Sequence, residues 1–254
     1  VSEGPLPPHD SQARRGPLDG AEPLSGASGA GFSGQVTLDG PSGTGKSSVA
    51  RAVALELRAS YLDTGAMYRA ATVAVLDAGV DLDDADGITR AVTQAAIGIG
   101  TDAATEQVTV DGVDVTERIR STEVTRAVSP VSAVPAVRRL LVDAQRSLVA
   151  DATAVVVEGR DIGTVVLPDA TLKVYLTAAP EARAERRAAQ LGVTDPARIA
   201  AIAEDLRRRD AYDSTREDSP LRPATDAVTV DSTHWERHQT IARIVELARE
   251  RAEA

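Results

Sequence analysis

The run Gly40-Pro-Ser-Gly-Thr-Gly-Lys-Ser47 constrains this chain more than any other stretch. Its pattern, G-x-x-x-x-G-K-[ST], lets glycines turn backbone N–H groups toward one anion, with a helix N-terminus behind them. Such a loop belongs between a buried strand and an amphipathic helix, and the flanks supply both. Gln35-Val-Thr-Leu-Asp39 reads as a short buried strand. Residues 47–58 place Val49, Val53, Ala54 and Leu57 on one helical face. The loop therefore reads as a cradle for the phosphates of a nucleoside triphosphate, spanning Gly40, Pro41, Ser42, Gly43, Thr44, Gly45, Lys46, Ser47 and Ser48. Lys46 would reach the terminal phosphates and the Ser47 hydroxyl would ligate Mg²⁺. Composition sharpens the reading of Lys46. Of 28 basic residues only Lys46 and Lys173 are lysine, so a lysine here marks a place for a compact point charge rather than a planar fork.

The rest of the chain alternates strand and helix. Tyr61-Leu62, Ala154–Val157, Thr171–Leu176 and Ala227–Val230 read as further strands. Helices are expected over 66–78, 135–150, 180–191 and 196–210 and from about Trp235 onward. The 135–150 helix carries an apolar stripe of Val137, Leu140, Leu141, Ala144 and Leu148. Strands separated by helices imply a parallel sheet covered on both faces. Residues 80–130 break that rhythm. After a helix to about Ala96, Ile97–Gly100, Gln107–Val110 and Val113–Val115 read as antiparallel strands with Asp111-Gly112 as the hairpin turn, an inserted lobe. The domain is expected over 35–254. Residues 1–34 hold seven Gly and five Pro without a hydrophobic period and read as a disordered tail, not a secretory signal.

Several function classes fall away. A formal charge of -10 argues against general nucleic-acid binding, which needs a basic surface to displace counterions. The absence of cysteine excludes disulfide scaffolds and thiolate metal sites and fits a cytoplasmic location. No stretch approaches a membrane span. A guanine-reading Asn/Thr-Lys-x-Asp is absent. Strand 154–157 leads into Glu158-Gly-Arg160-Asp161, which suits gripping a substrate more than activating water.

Five ordered blocks resemble the bacterial cytidylate kinases, a branch of the P-loop nucleoside monophosphate kinases. They are Leu38–Lys46, Leu62-Asp-Thr-Gly-Ala-Met-Tyr-Arg69, Val128-Ser129 through Pro135 with Arg138 to Arg146, Glu158–Thr164, and Arg209-Asp-Ala-Tyr-Asp213-Ser-Thr-Arg216. The likeness covers about residues 35–252. It implies an α/β P-loop kinase fold: a five-stranded parallel sheet flanked by helices, an inserted substrate-binding lobe and a short Arg-rich lid at about 183–216. It implies transfer of the γ-phosphate of ATP to CMP or dCMP, with Mg²⁺. Matched block by block, Thr64, Arg138, Asp161 and Arg216 would surround cytosine. Ser129, Arg209 and Asp213 would lie near the pentose, and Arg69 and Arg160 would hold the acceptor phosphate. Lys46, Arg69, Arg160 and Arg216 are the expected catalytic set. This chain departs from many relatives at Ser47-Ser48, where they have Gly-Thr, leaving open which serine ligates the metal. It also has Thr64 where some have Ser.

The residues support that chemistry by themselves. A nucleoside monophosphate is mostly dianionic at pH 7, so it needs no general base to accept a phosphoryl group. It needs two polyanions aligned and the transferred charge neutralised. Cytosine offers an amino donor and two ring acceptors, which Asp161 and Arg138 can match. A hydroxyl acceptor would instead need a carboxylate base, for which Asp63 or Asp161 could serve, although Asp63 is also a natural helix cap. A regulatory nucleotide-binding module would bind ATP without transfer. Arg209, Asp213 and Arg216, at i, i+4 and i+7, share one face if helix 196–210 continues that far. Among Arg183, Arg186 and Arg187 the sequence does not choose which meet ATP. No partner is required, and a monomer is expected.

Overall fold

The computed structural model describes residues 32–216 and 218–253, so most of the expected 1–34 tail lies outside the described residues. The elements run β1 (Gly34–Asp39), α1 (Lys46–Leu57), β2 (Ser60–Asp63), α2 (Thr64–Asp77), α3 (Ala85–Gln94), β3 (Ile97–Ile99), β4 (Val108–Val110), β5 (Val113–Asp114), α4 (Thr122–Ala133), α5 (Pro135–Val149), β6 (Ala154–Glu158), β7 (Leu172–Thr177), α6 (Pro180–Gln190), α7 (Pro196–Thr215), β8 (Val228–Asp231) and α8 (Arg237–Ala252).

Five strands form one parallel sheet in the order β2-β6-β1-β7-β8. Their Val/Leu-rich runs are buried from both sides, as a parallel sheet requires. One face carries α1 and α8, whose Val49, Val53, Leu57, Ile244 and Leu247 pack with Val36, Leu38 and Val174. The other face carries α2 and α5, with Met67, Val73, Leu141, Val155 and Val157 in one cluster. The order matters for the site. β6 lies between β1 and β2, in register Leu38↔Glu158 and Asp63↔Glu158. Three acidic strand ends, Asp39, Asp63 and Glu158, thus meet at the carboxyl edge of the sheet, where open α/β sheets bind ligands.

The antiparallel elements expected after residue 96 are present as a three-stranded sheet, β3-β4-β5. Asp111 (φ 52) and Gly112 (φ 79) take the left-handed turn conformations a tight hairpin demands. This sheet has no core of its own. Ile97, Ile99, Val108 and Val110 join the same buried cluster as α2 and the main sheet.

Three local features differ from the sequence expectation. Residues 122–133 form α4, which was not foreseen because Pro130 sits inside it; the helix is started by Ser121, whose Oγ accepts from Val124 N at 3.3 Å. The buried face of α5 keeps Val137, Leu141 and Ala144 of the expected stripe and adds residues beside it. Arg138, Val142, Gln145 and Val149 are buried while Leu140 and Leu148 are only partly so. Of the two polar side chains turned inward, Arg138 lines the cleft. Finally, α7 runs on to Thr215, beyond the expected 196–210, and this brings Arg209 and Asp213 onto one continuous helix with Arg216 as its C-cap.

Candidate active site

The cradle is built by backbone. β1 ends at Asp39, and Gly40 turns the chain at φ 147, where a Cβ would lie 2.1 Å from the Leu176 carbonyl oxygen. Gly45, at φ 85, is the residue before α1, whose first turn begins at Lys46. Thr44 Oγ1 donates to Pro41 O at 3.2 Å, and Lys46 Nζ donates to the same oxygen at 2.7 Å, so the ammonium lies folded over the loop. Burial pulls the Lys46 ammonium well below its ordinary range, and the nearby Arg160 cation adds to this. A polyphosphate between the two cations would stabilise both.

Beneath the loop lies an acidic pair. Glu158 is 3% exposed and accepts from Tyr61 Oη at 2.5 Å. Burial raises its carboxyl, as does the Asp63 charge, while Tyr61, Lys46 and Ser47 draw it back down. Burial also raises the Tyr61 phenol, with Glu158 next in effect. Asp39 accepts from Ile162 N and Gly163 N, both at 2.8 Å, and fixes the π-helical turn Ile162–Val166 that follows β6. Burial pushes Asp39 up to about 6 despite these two bonds.

One cleft of about 1100 Å³ runs from the loop across to α2, α4, α5 and α7. Of the residues singled out in the sequence, Ser42 through Ser48, Thr64, Arg69, Ser129, Arg138, Arg160, Asp161, Arg209, Asp213 and Arg216 all line it. Gly40 and Pro41 do not; they are buried under the loop and shape it.

Opposite the loop, side chains make the site. Arg138 and Asp161, each 5% exposed, form a buried ion pair, and Arg138 Nη1 also donates to Ser132 O at 3.3 Å. The Arg138 guanidinium stacks 5.4 Å from the centre of the Tyr68 ring. Thr64 Oγ1 donates to Glu158 O at 2.7 Å and closes the floor. Several buried donors here have no hydrogen-bond partner in the protein: Tyr68 Oη, Arg138 Nε and Arg216 Nη2. Gln145 is close enough to influence the Tyr68 phenol, whose pKa burial raises to about 12, but no well-aligned hydrogen bond joins them. Such orphaned donors call for a polar occupant.

The arginines converge from different elements. Arg69 is held by Ile119 O and Thr125 Oγ1, both at 3.1 Å. Burial lowers it to about 10, and Arg209, Arg120 and Arg160 push the same way. Burial lowers Arg209 and Arg216 as well, with Arg160 among the nearby cations in each case. Like charges gathered at one spot are relieved by a dianion. Arg160 does not pair with the adjacent Asp161. It reaches α7, with Nε donating to Asp213 Oδ2 at 3.0 Å, and the loop, with Nη2 donating to Ser42 Oγ at 2.8 Å. Asp63 accepts from Ala66 N at 2.9 Å as the cap of α2. Neither Asp63 nor Asp161 is thus a free base.

Sequence reasoning missed the roles of Asp39, Tyr61, Tyr68 and Asp210, and left Glu158 without one. Only Glu158 had a usable signal, since it closes the apolar run Val155–Val157. The three arginines it could not rank are separated here. Arg183 is buried against the loop, and Arg186 donates to Ser232 O at 2.5 Å. Arg187 donates to Gln190 Oε1 at 3.0 Å and lines the cleft together with Gln190, His234 and Trp235.

A phosphate loop at the carboxyl edge of a five-stranded parallel sheet, faced by converging arginines across one cleft, defines an α/β P-loop kinase. Within that class the chain belongs to the cytidylate kinase family, whose sequence profile matches residues 36–250. It is 58% identical over 218 residues to the cytidylate kinase of Rhodococcus opacus (strain B4), covering 85% of this chain and 95% of that one. It is 56% identical over 220 residues to that of Rhodococcus jostii (strain RHA1), covering 86% and 96%. With the cytidylate kinase of Nocardia farcinica (strain IFM 10152) the identity is 57% over 209 residues, covering 81% and 89%.

Proposed function

We propose that this enzyme transfers the γ-phosphate of ATP to CMP or dCMP, giving ADP and CDP or dCDP. The observation that carries the reading is the buried Arg138–Asp161 pair, flanked by orphaned donors, in the same cleft as the phosphate loop. Cytosine fits that pair. Its amine donates to the Asp161 carboxylate, and its ring acceptors take donors from Arg138. Uracil would set a carbonyl against the Asp161 carboxylate, two acceptors facing each other in a buried site, a penalty of about 1–3 kcal/mol.

The acceptor phosphate lies between Arg69 and Arg160, with Ser129, Arg209 and Asp213 near the pentose and Thr64 and Arg216 beside the base. One of its oxygens attacks the γ-phosphorus in line. The bond to the β–γ bridging oxygen breaks, and that oxygen leaves with ADP. Lys46 and Arg160 face the transferred group from either side and neutralise its spreading charge. The donor nucleoside extends toward Arg187, Gln190 and Trp235. No base is needed, which agrees with the occupied state of both candidate carboxylates.

Mg²⁺ fits the oxygen donors present. Ser47 stands exposed in the first turn of α1, close to Glu158, and Ser48 follows it. Mg²⁺ takes one or two protein oxygens together with phosphate oxygens and water. Among the described residues no group of three His, Cys, Asp or Glu could hold a metal alone. When bound, the ion, held through Ser47 or Ser48, would offset the charge of the phosphates. Among the described residues no helix is long and apolar enough to cross a membrane. We take the protein to act as a cytoplasmic monomer without nucleic acid.

A coupled assay with ATP against CMP, dCMP, UMP, AMP, dTMP and cytidine tests the reading. CMP and dCMP should lead, UMP should trail by at least tenfold, and cytidine, lacking the phosphate that the arginines hold, should be inert. Failure to form CDP would sink it.

A further inference from the structure

Ser42, the second variable residue of the phosphate loop, has its backbone N–H, its carbonyl and its hydroxyl all taken by other parts of the protein. Its N–H donates to Asp210 Oδ1 at 2.9 Å. Its carbonyl accepts from Arg183 Nη1 at 3.0 Å, and its hydroxyl accepts from Arg160 Nη2 at 2.8 Å. Arg183 also pairs with Asp210 and donates through Nε to Ala178 O at 3.1 Å. The next residue is equally enclosed. A Cβ on Gly43 would meet Leu206 Cδ1 at 3.1 Å and Arg183 Cβ at 3.2 Å. One residue of the donor loop is therefore clasped by α6, by α7 and by the turn after β6.

The clasp has a particular geometry on α7. Leu206, Asp210 and Asp213 follow one another along the face toward the loop, while Arg209, Asp213 and Arg216 face the acceptor side. Asp213 belongs to both, since it accepts from Arg160, the same arginine that holds Ser42. Leu206 is the only buried residue of this 20-residue helix. Beyond its packing on α6, what ties α7 to the phosphate loop and to Arg160 is polar, through Asp210 and Asp213, so its seating against the loop is the part able to shift. An acceptor phosphate that draws Arg160 away from Asp213 and Ser42 changes the load on both contacts together.

We propose that Asp210 is a positioning residue that couples the two nucleotide sites: it transmits the seating of α7, set by the acceptor, to the backbone of the donor loop through Ser42. The proposal rests on the assignment of CMP to the α7 side and of ATP to the loop. By linkage the effect is reciprocal, so acceptor and donor tighten each other's binding by the same factor.

The test uses the full chain and a non-reacting pair of nucleotides. ADP affinity is measured calorimetrically with and without saturating CMP, and melting temperature is recorded alongside. For the wild type CMP should tighten ADP about 5- to 20-fold. In Asp210→Ala that ratio should fall below about 2-fold, while ADP binding without CMP changes far less. Asp210→Asn keeps an acceptor for Ser42 N–H but gives up the charge facing Arg183, and its ratio should be at least halved. A residue that merely supports the fold would weaken both affinities together and leave the ratio intact. An unchanged ratio in either folded variant, or no coupling in the wild type, overturns the proposal. Because CDP formation by the wild type is measured separately, failure of the substrate assignment shows there and removes the basis for both.

Discussion

The two ends of the cleft are made differently. The proposed donor end is a contiguous backbone object: Gly40 to Ser48 supply the turn and the helix start. The proposed acceptor end is assembled from side chains on α2, α4, α5, the turn after β6 and α7, scattered from Thr64 to Arg216. A backbone site is written in one short run and tolerates little change. A side-chain site is written across the chain and gains selectivity by changing one residue at a time.

That contrast can be broken at its strongest point first. Lys46→Ala removes the one ammonium over the loop and should lower turnover by about 10²–10³-fold or more with the melting temperature nearly kept. A variant that retains a tenth of the activity would mean that the loop backbone alone suffices. Next, Asp161→Asn attacks the side-chain end. Its kcat/KM for CMP should fall by about 10–100-fold while KM for ATP moves little, and UMP should gain relative to CMP. Equal losses for both nucleotides would show that the two ends are not separable. A smaller effect is expected at the donor nucleoside. Trp235 is the only tryptophan and is 39% exposed, so ATP should change its fluorescence, and Trp235→Leu should raise KM for ATP about 3- to 10-fold. No fluorescence change on ATP binding would remove Trp235 from the donor site.

A last effect, read in stability rather than turnover, concerns the join between the two ends. Asp39 closes the strand before the loop and holds the turn that carries Asp161. Its folded pKa is raised from 3.8 to about 6 by burial. The protonated form is thus favoured in the fold, so this group's contribution is full below about 3.8 and is lost as pH rises through about 6. Urea melts of wild type and Asp39→Asn should agree best near pH 4, where the neutral amide resembles the protonated carboxyl. By pH 7 the wild type should have lost about 2–3 kcal/mol relative to the variant. A flat difference would mean that Asp39 is not desolvated as described.

The same contrast explains what the sequence made legible. The loop could be read directly because motif, preceding strand and following helix are adjacent in the chain. The parallel sheet followed from alternation of apolar runs with helical periods. The pairing inside the acceptor end was not legible. Arg160 and Asp161 are neighbours in sequence, yet each turns to a distant partner, Asp213 and Arg138. Helix periodicity placed Val137, Leu141 and Ala144 of α5 correctly but gave no sign of Arg138 and Gln145, which are buried against their polarity. α4 was hidden by Pro130, and the turn at 162–166 depends on hydrogen bonds to Asp39, more than a hundred residues earlier. Long-range polar contacts leave no periodic trace.

The tight seat of Gly43 under Leu206 and Arg183 bears on how such an enzyme can be redesigned. With φ at 81 and neighbours 3.1–3.2 Å from where a Cβ would sit, any side chain at that position is strained. A laboratory seeking acceptance of a different phosphate donor would gain nothing by diversifying this part of the loop. Libraries at Arg187, Gln190, His234 and Trp235 leave the clasp untouched and offer the room in which new preferences can be selected.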